Sequence, residues 1–294
     1  MAWSVYHQIE SRQSAWTIVE DLLQIFGHNY DRLLPYRLKR KAAAFYAKTY
    51  KSLKDKVRLA RVVHADETPI PIKGGRGYVW AFATLDELVY VYSDTREGTV
   101  VNQFLEGFDG VLVSDFYAAY DGVPCRQQKC LIHLIRDLND DLFKNHFDEE
   151  LKEITRGLTQ VLVPVVAVID RFGLKKRHLG KFRKPADRFI GSITEQIFVS
   201  KIAKNYQQRI AKYHDRLFEF LKHDNVAWNN NNAEYAIKRF AMLRKNIGNL
   251  STANGIHDYL ILLSICETLR RKNLSFLGFL LSQSVDLDRF AEER

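Results

Sequence analysis

The period of the apolar positions changes along the chain, and each change predicts a different element. In SAWTIVEDLLQIFG the residues Trp16, Val19, Leu22, Leu23 and Phe26 recur at three- and four-residue steps, which predicts a helix stopping at Gly27. Residues 37–61 are lysine-rich and contain neither Gly nor Pro, and fit a helix with a basic exposed side. At Val62 the pattern turns β-branched and aromatic. RVVHADETPIPI, YVWAFATL and LVYVYSD, separated by GGRG at 74–77 and by Asp86-Glu87, predict three consecutive antiparallel strands. REGTVVNQFLEGF predicts a helix ending near Gly107. GVLVSD is a short, nearly continuous apolar run, as expected of a strand covered on both faces. After a short strand admitted near Arg126–Cys130, Leu131, Leu134, Ile135, Leu138 and Leu142 return to helical spacing.

From 140 to about 228 the patterns are helical, interrupted by a dense basic run at 171–188. NNNN at 229–232 is a turn or cap signal. It precedes a helix expected to stop at Gly248 and two closing helices. Three antiparallel strands followed by alternating helices and parallel strands match an α/β fold with a ribonuclease H-like mixed sheet. The expected organisation is an N-terminal helical segment (1–61), a core (62–139 with 229–250), an all-α insertion (140–228) and C-terminal helices (251–294).

Composition narrows the function classes. The 294 residues are 46% hydrophobic, enough for a sizeable core and against disorder as the default. A formal net charge of +9 points to a polyanionic partner, nucleic acid before a membrane surface. Three cysteines, Cys125, Cys130 and Cys266, argue for a reducing compartment without a disulfide framework. The N-terminus carries no signal pattern and the longest apolar runs fall short of a membrane span. A cytoplasmic protein is expected.

Three acidic residues stand out by position: Asp66 on the first strand, Asp115 at the end of the fourth, and Glu234 at the start of the helix after the asparagine run. Taken singly, each has an ordinary structural role at a turn, a cap or a first helical turn. Taken together, carboxylates converging from two strands and a helix would repel one another unless a divalent cation neutralised them. Magnesium accepts such hard oxygen ligands. Two ions about 4 Å apart are the recurring device of phosphoryl transfer.

The blocks HADET, GFDGVLVSDFYAAYD, CLIHLIRDLN, NNNNAEYAIKRFAMLRKNIGN and LSICETLRRKNLSFLGFL, in that order, resemble the catalytic region of bacterial transposases of the insertion-sequence sixty-six family. The likeness runs from about Val62 to Leu281 and is loose over 140–228. It implies DDE-type DNA cleavage and strand transfer, with catalytic and metal-binding roles at Asp66, Asp115 and Glu234. The implied cofactor is two Mg²⁺, for which Mn²⁺ would substitute. The implied partners are double-stranded DNA at transposon ends and target, a second copy of the chain when assembled on DNA, and accessory transposition proteins. The neighbours Glu67 and Asp121 do not occupy the family's catalytic places. Members commonly carry a DNA-binding segment and often a cysteine-rich module before the core, whereas about 61 cysteine-free residues precede the first strand here.

The remaining polar marks are candidate DNA contacts. His133 and Arg136 stand three apart on one helix, and the resemblance implies a place near the active site. Lys238 lies one turn beyond Glu234, and Arg239, Arg244 and Lys245 follow. Lys175, Lys176, Arg177, Lys181 and Arg183, with Lys184 and Arg188, form a backbone-type surface that supplies affinity without sequence choice. Cys130 and His133 mimic half a zinc site with Cys125 nearby, but a fourth ligand at suitable spacing is lacking. Trp80 and Trp228 read as packing residues. Two other functions fit the same residues: a DNA-binding remnant without activity, and a metal-dependent nuclease that cuts without joining.

Overall fold

The structure, a computed structural model, describes residues 1–247 and 252–293, with side chains at 243–247 outside the described set. The described residues divide into two compact units. Unit 1 comprises Met1–Phe108 and Asn231–Arg294, and unit 2 is Asp109–Asn230.

Unit 1 begins with four helices: α1 (Ala2–Ile9), α2 (Ala15–Phe26), α3 (Leu34–Phe45) and α4 (Ala47–Arg58). Ser14 caps α2 by accepting the Thr17 N–H at 3.1 Å, and Gly27 closes it at φ 69°, where a side chain would be strained. The single helix expected over 37–61 is two. The backbone leaves helical geometry at Tyr46, whose ring is buried and packs 5.3 Å from Phe279. Nor is the basic side wholly exposed, because Lys39 is buried and donates to the Gly255 carbonyl at 3.0 Å.

Three antiparallel strands follow, β1 (Val62–Ile72), β2 (Gly75–Ala83) and β3 (Leu88–Ser93), with Asp66 opposite Ala81 and Tyr78 opposite Ser93. Gly77 on β2 leaves room for the Tyr92 ring, since an added Cβ would lie 2.5 Å from it. Helix α5 (Gly98–Phe104) stacks Phe104 on Phe82 at 3.8 Å.

Unit 2 interrupts this sequence. It contains β4 (Val111–Ser114) and β5 (Arg126–Lys129), which run parallel with Ser114 opposite Lys129. Five helices follow: α6 (Leu131–Lys144), α7 (Glu149–Phe172), α8 (Lys176–Leu179), α9 (Arg183–Glu195) and α10 (Lys201–Lys212). All four residues of β4 are buried, as the apolar run predicts. The residues after α10 close the outer side of β5: the Lys129 N–H reaches the Arg216 carbonyl at 2.8 Å, and the Gln128 side chain bonds both Leu217 O and Phe220 N.

The chain then returns to unit 1 with α11 (Asn231–Ile247), α12 (Ala253–Arg271), α13 (Phe276–Ser282) and α14 (Leu287–Glu292). Helix α12 is buried on nearly every side, from Tyr259 to Leu269 without a break. It also completes the edge of β3. Ser264 Oγ accepts the Tyr90 N–H at 2.9 Å and Thr268 Oγ1 accepts the Leu88 N–H at 3.1 Å, so these two outward amides are bonded. The architecture is mixed α/β, antiparallel in one unit and parallel in the other. Among the described residues no helix is long and apolar enough to cross a membrane, and no disulfide joins the three cysteines.

Candidate active site

In unit 1, Asp66 sits mid-strand on β1, half-buried, with its Oδ1 accepting the Glu67 N–H at 2.9 Å. Strand alternation sends Glu67 to the opposite face. There its carboxylate is buried and receives the Arg96 Nε–H at 2.9 Å. Glu67 is thus committed to an ion pair with Arg96.

Helix α11 packs on β1 and β2, bringing the element that carries Glu234 to the strand that carries Asp66. Two side chains fix it there. The Asn232 amide donates to Thr84 O at 2.8 Å, and the Tyr90 hydroxyl donates to Ala236 O at 2.8 Å. Glu234 stands in the first turn, where a carboxylate is favoured by the helix dipole, and is mostly buried. Lys238 Nζ lies 3.7 Å from its Oε2 and is otherwise exposed.

Arg239 has a different environment from its neighbour. It donates from Nε and Nη2 to Oε1 of the buried Glu267 at 3.1 and 3.0 Å, and Arg270 joins the same oxygen at 2.6 Å. Burial raises the Glu267 carboxyl above its ordinary range, and Arg239 pulls it back. The guanidinium of Arg239 therefore ties α11 to α12. The side chains of Arg244 and Lys245 lie outside the described residues.

In unit 2, Asp115 follows the last residue of β4 and is half-buried. Its Oδ1 accepts the Tyr117 N–H at 2.9 Å, an Asx-type turn that sets the carboxylate at the carboxyl end of a covered strand. The next residue is held firmly. The Arg209 guanidinium lies 3.8 Å above the Phe116 ring, with Tyr213 edge-on at 5.3 Å, and Arg209 is itself paired to Asp137 at 2.6 Å.

Behind this turn lies a group that the sequence reading missed. Lys129, the last residue of β5, is fully buried. Its ammonium is 3.0 Å from Asp121 Oδ1 and 3.2 Å from Ser114 Oγ, and it faces the Tyr120 and Tyr213 rings. Burial lowers the Lys129 pKa, while Asp121 and the charge of Asp115 resist that shift. Burial opposes ionisation of Asp121, but hydrogen bonds from Lys212, Lys129 and Tyr213 outweigh it, and its carboxyl titrates below the ordinary 3.8. RQQK looks like a polar surface strand. The only signal in the chain is that Tyr120 and Asp121 stand just after Asp115.

His133 and Arg136 lie on α6, half-buried and exposed respectively. Cys130 precedes that helix, its Sγ accepting the Asn230 N–H at 3.2 Å. Burial pushes the Cys125 thiol up to about 11. Trp80 is fully buried, as its packing role requires, and Trp228 is half-buried with its carbonyl accepting the Leu131 N–H at 2.9 Å. Lys175, Lys176, Arg177, Lys181, Arg183, Lys184 and Arg188 are all exposed on the stretch from α8 into α9.

Of the three carboxylates, Asp66 and Glu234 belong to unit 1 and Asp115 to unit 2. A family model described as "Transposase IS66 family" matches residues 18–258, so the match takes in most of α2 and all of α3 and α4 as well as the strands. The comparison with curated proteins gives no match.

Proposed function

Since the chain belongs to the IS66 family of transposases, we propose that it cleaves DNA at the ends of a mobile element and joins those ends to target DNA, on a ribonuclease H-like core. The residues assigned to the chemistry are Asp66, Asp115 and Glu234. One observation carries the assignment: Asp115 ends a fully covered parallel strand, where α/β folds place ligands, with its carboxylate pinned by the Tyr117 N–H.

The donor set suits a hard divalent cation, because all three side chains offer carboxylate oxygens. Magnesium held by them would supply Lewis acidity at the scissile phosphate and lower the pKa of attacking water. The chain's own part is placement and charge. The first step adds water to phosphorus and releases a 3′-hydroxyl at the element's end. In the second, that hydroxyl attacks a target phosphorus and displaces the target's own 3′-oxygen. Neither step needs a bond between phosphorus and protein. Lys238, His133 and Arg136 are assigned to DNA phosphates beside the carboxylates, and the basic stretch of unit 2 to the backbone farther away. DNA bound in this way is expected to draw two copies of the chain together, one per end.

Alanine at Asp66, Asp115 or Glu234 is expected to lower Mg²⁺-dependent cleavage by at least about a hundredfold, the equivalent of roughly 3 kcal/mol of transition-state stabilisation. Strand transfer from pre-cleaved ends separates a transposase from a nuclease. Unchanged cleavage in all three variants would refute the assignment.

A further inference from the structure

Within unit 2 the basic stretch does more than lie on the surface. Lys175, Lys176, Arg177 and Arg183 line one open cavity of about 650 Å³, together with Gly180, Leu221 and Asp224. Lys181, Lys184 and Arg188, equally exposed and only a few residues away, are not among its lining. The volume falls in the range of small-ligand pockets, and four cationic side chains face a single carboxylate.

The rim is built from two chain segments that fasten each other. Asp224 Oδ1 accepts the Lys176 N–H at 2.7 Å, and the Asn225 N–H reaches the Leu174 carbonyl at 2.8 Å. Arg177 donates its Nε–H to His178 Nε2 at 3.0 Å, and the His178 ring stacks on Phe172 at 4.4 Å. The cations are therefore held on an ordered frame, which reduces the ordering cost of binding. The lining contains no aromatic ring and one apolar side chain, Leu221, so it offers no platform for a base. It offers charge and donors for phosphate.

We propose that this cavity is a phosphate-gripping site that seats consecutive phosphodiesters of a single DNA strand, independently of base sequence and of divalent metal. The proposal rests on the transposase reading for its choice of DNA, but its test does not depend on catalysis. Binding of a labelled single-stranded oligodeoxynucleotide is followed by fluorescence anisotropy in EDTA across a salt series. The variants are a lining set (Lys175→Gln, Lys176→Gln, Arg177→Gln) and a control set of exposed lysines elsewhere on unit 2 (Lys144→Gln, Lys201→Gln, Lys204→Gln), which remove the same charge. Both sets are surface changes, and circular dichroism melts establish that both are folded.

Each lost phosphate contact should reduce the slope of log K against log salt by about 0.7. The lining set is expected to lose about two units of slope and at least about tenfold in affinity, the control set less than about half a unit. Lys175→Arg with Lys176→Arg should retain binding. Equal losses from the two sets, or no measurable binding by the wild type, would overturn the site in favour of diffuse surface charge. Displacement of the oligonucleotide by orthophosphate at equal phosphate concentration would overturn the strand assignment. Binding as expected without Mg²⁺-dependent cleavage would leave the cavity standing and remove the transposase reading. Intact cleavage with equal losses would do the reverse.

Discussion

A fully buried lysine needs a partner, and Lys129 has Asp121 at 3.0 Å. Removing the acid alone strands an ammonium in a low-dielectric interior. Asp121→Asn should therefore cost about 3 kcal/mol of stability in denaturant titrations, and adding Lys129→Met should recover a substantial part of it. The pH dependence has a definite sign. Because the folded Asp121 carboxyl titrates below 3.8, its contribution is fully present above that value and is lost as pH falls through the lowered one. The stability gap between wild type and Asp121→Asn should accordingly be flat at neutral and mildly acidic pH and shrink below about pH 4 in thermal melts. Arg239 and Lys238, adjacent in sequence, should also part company. Arg239→Gln breaks a buried pair with Glu267 and should lower stability while leaving the salt slope of DNA binding unchanged. Lys238→Gln, exposed, should lower the slope by about one contact and leave the melting temperature alone.

At the scale of elements, much was legible. The three antiparallel strands follow from β-branched and aromatic runs broken by turn residues, and β4 from a continuous apolar run. Gly27 ends α2 as its position suggests. The break at Tyr46 was not visible, because local helix propensity favours continuity and the burial of Tyr46 against Phe279 lies 233 residues downstream. The candidate site divides in the same way. Asp66, Asp115 and Glu234 stand out along the chain, as does the basic run. The buried cation behind Asp115 does not, since its environment comes from Tyr120 and Asp121 on one stretch of chain and Tyr213 on another, some ninety residues on. Nor does Glu267, a glutamate in a helix buried on nearly every side. Helix α12 supplies the clearest elemental test. Ser264→Ala and Thr268→Val each leave a strand amide without its acceptor and should each cost about 1–3 kcal/mol, read as a shift in the urea midpoint.

For the whole molecule, the order of the chain differs from the order of packing. Unit 1 is made of two segments, and all of unit 2 lies between them in sequence. The formal charge of +9 is a property of the entire chain, whereas the cavity in unit 2 concentrates four cations at one place. Two amides on the edge of β3, those of Leu88 and Tyr90, find their acceptors in Thr268 and Ser264, on a helix near the C-terminus. On the ribosome that interval becomes a period of exposure. At about 5–20 residues per second, roughly ten to thirty seconds separate the emergence of β3 from that of α12. Throughout it the nascent chain presents an open, aromatic strand edge to other nascent chains. Ribosome-bound chains arrested before α12 should therefore recruit chaperones or aggregate, and release from both should begin once α12 has cleared the exit tunnel.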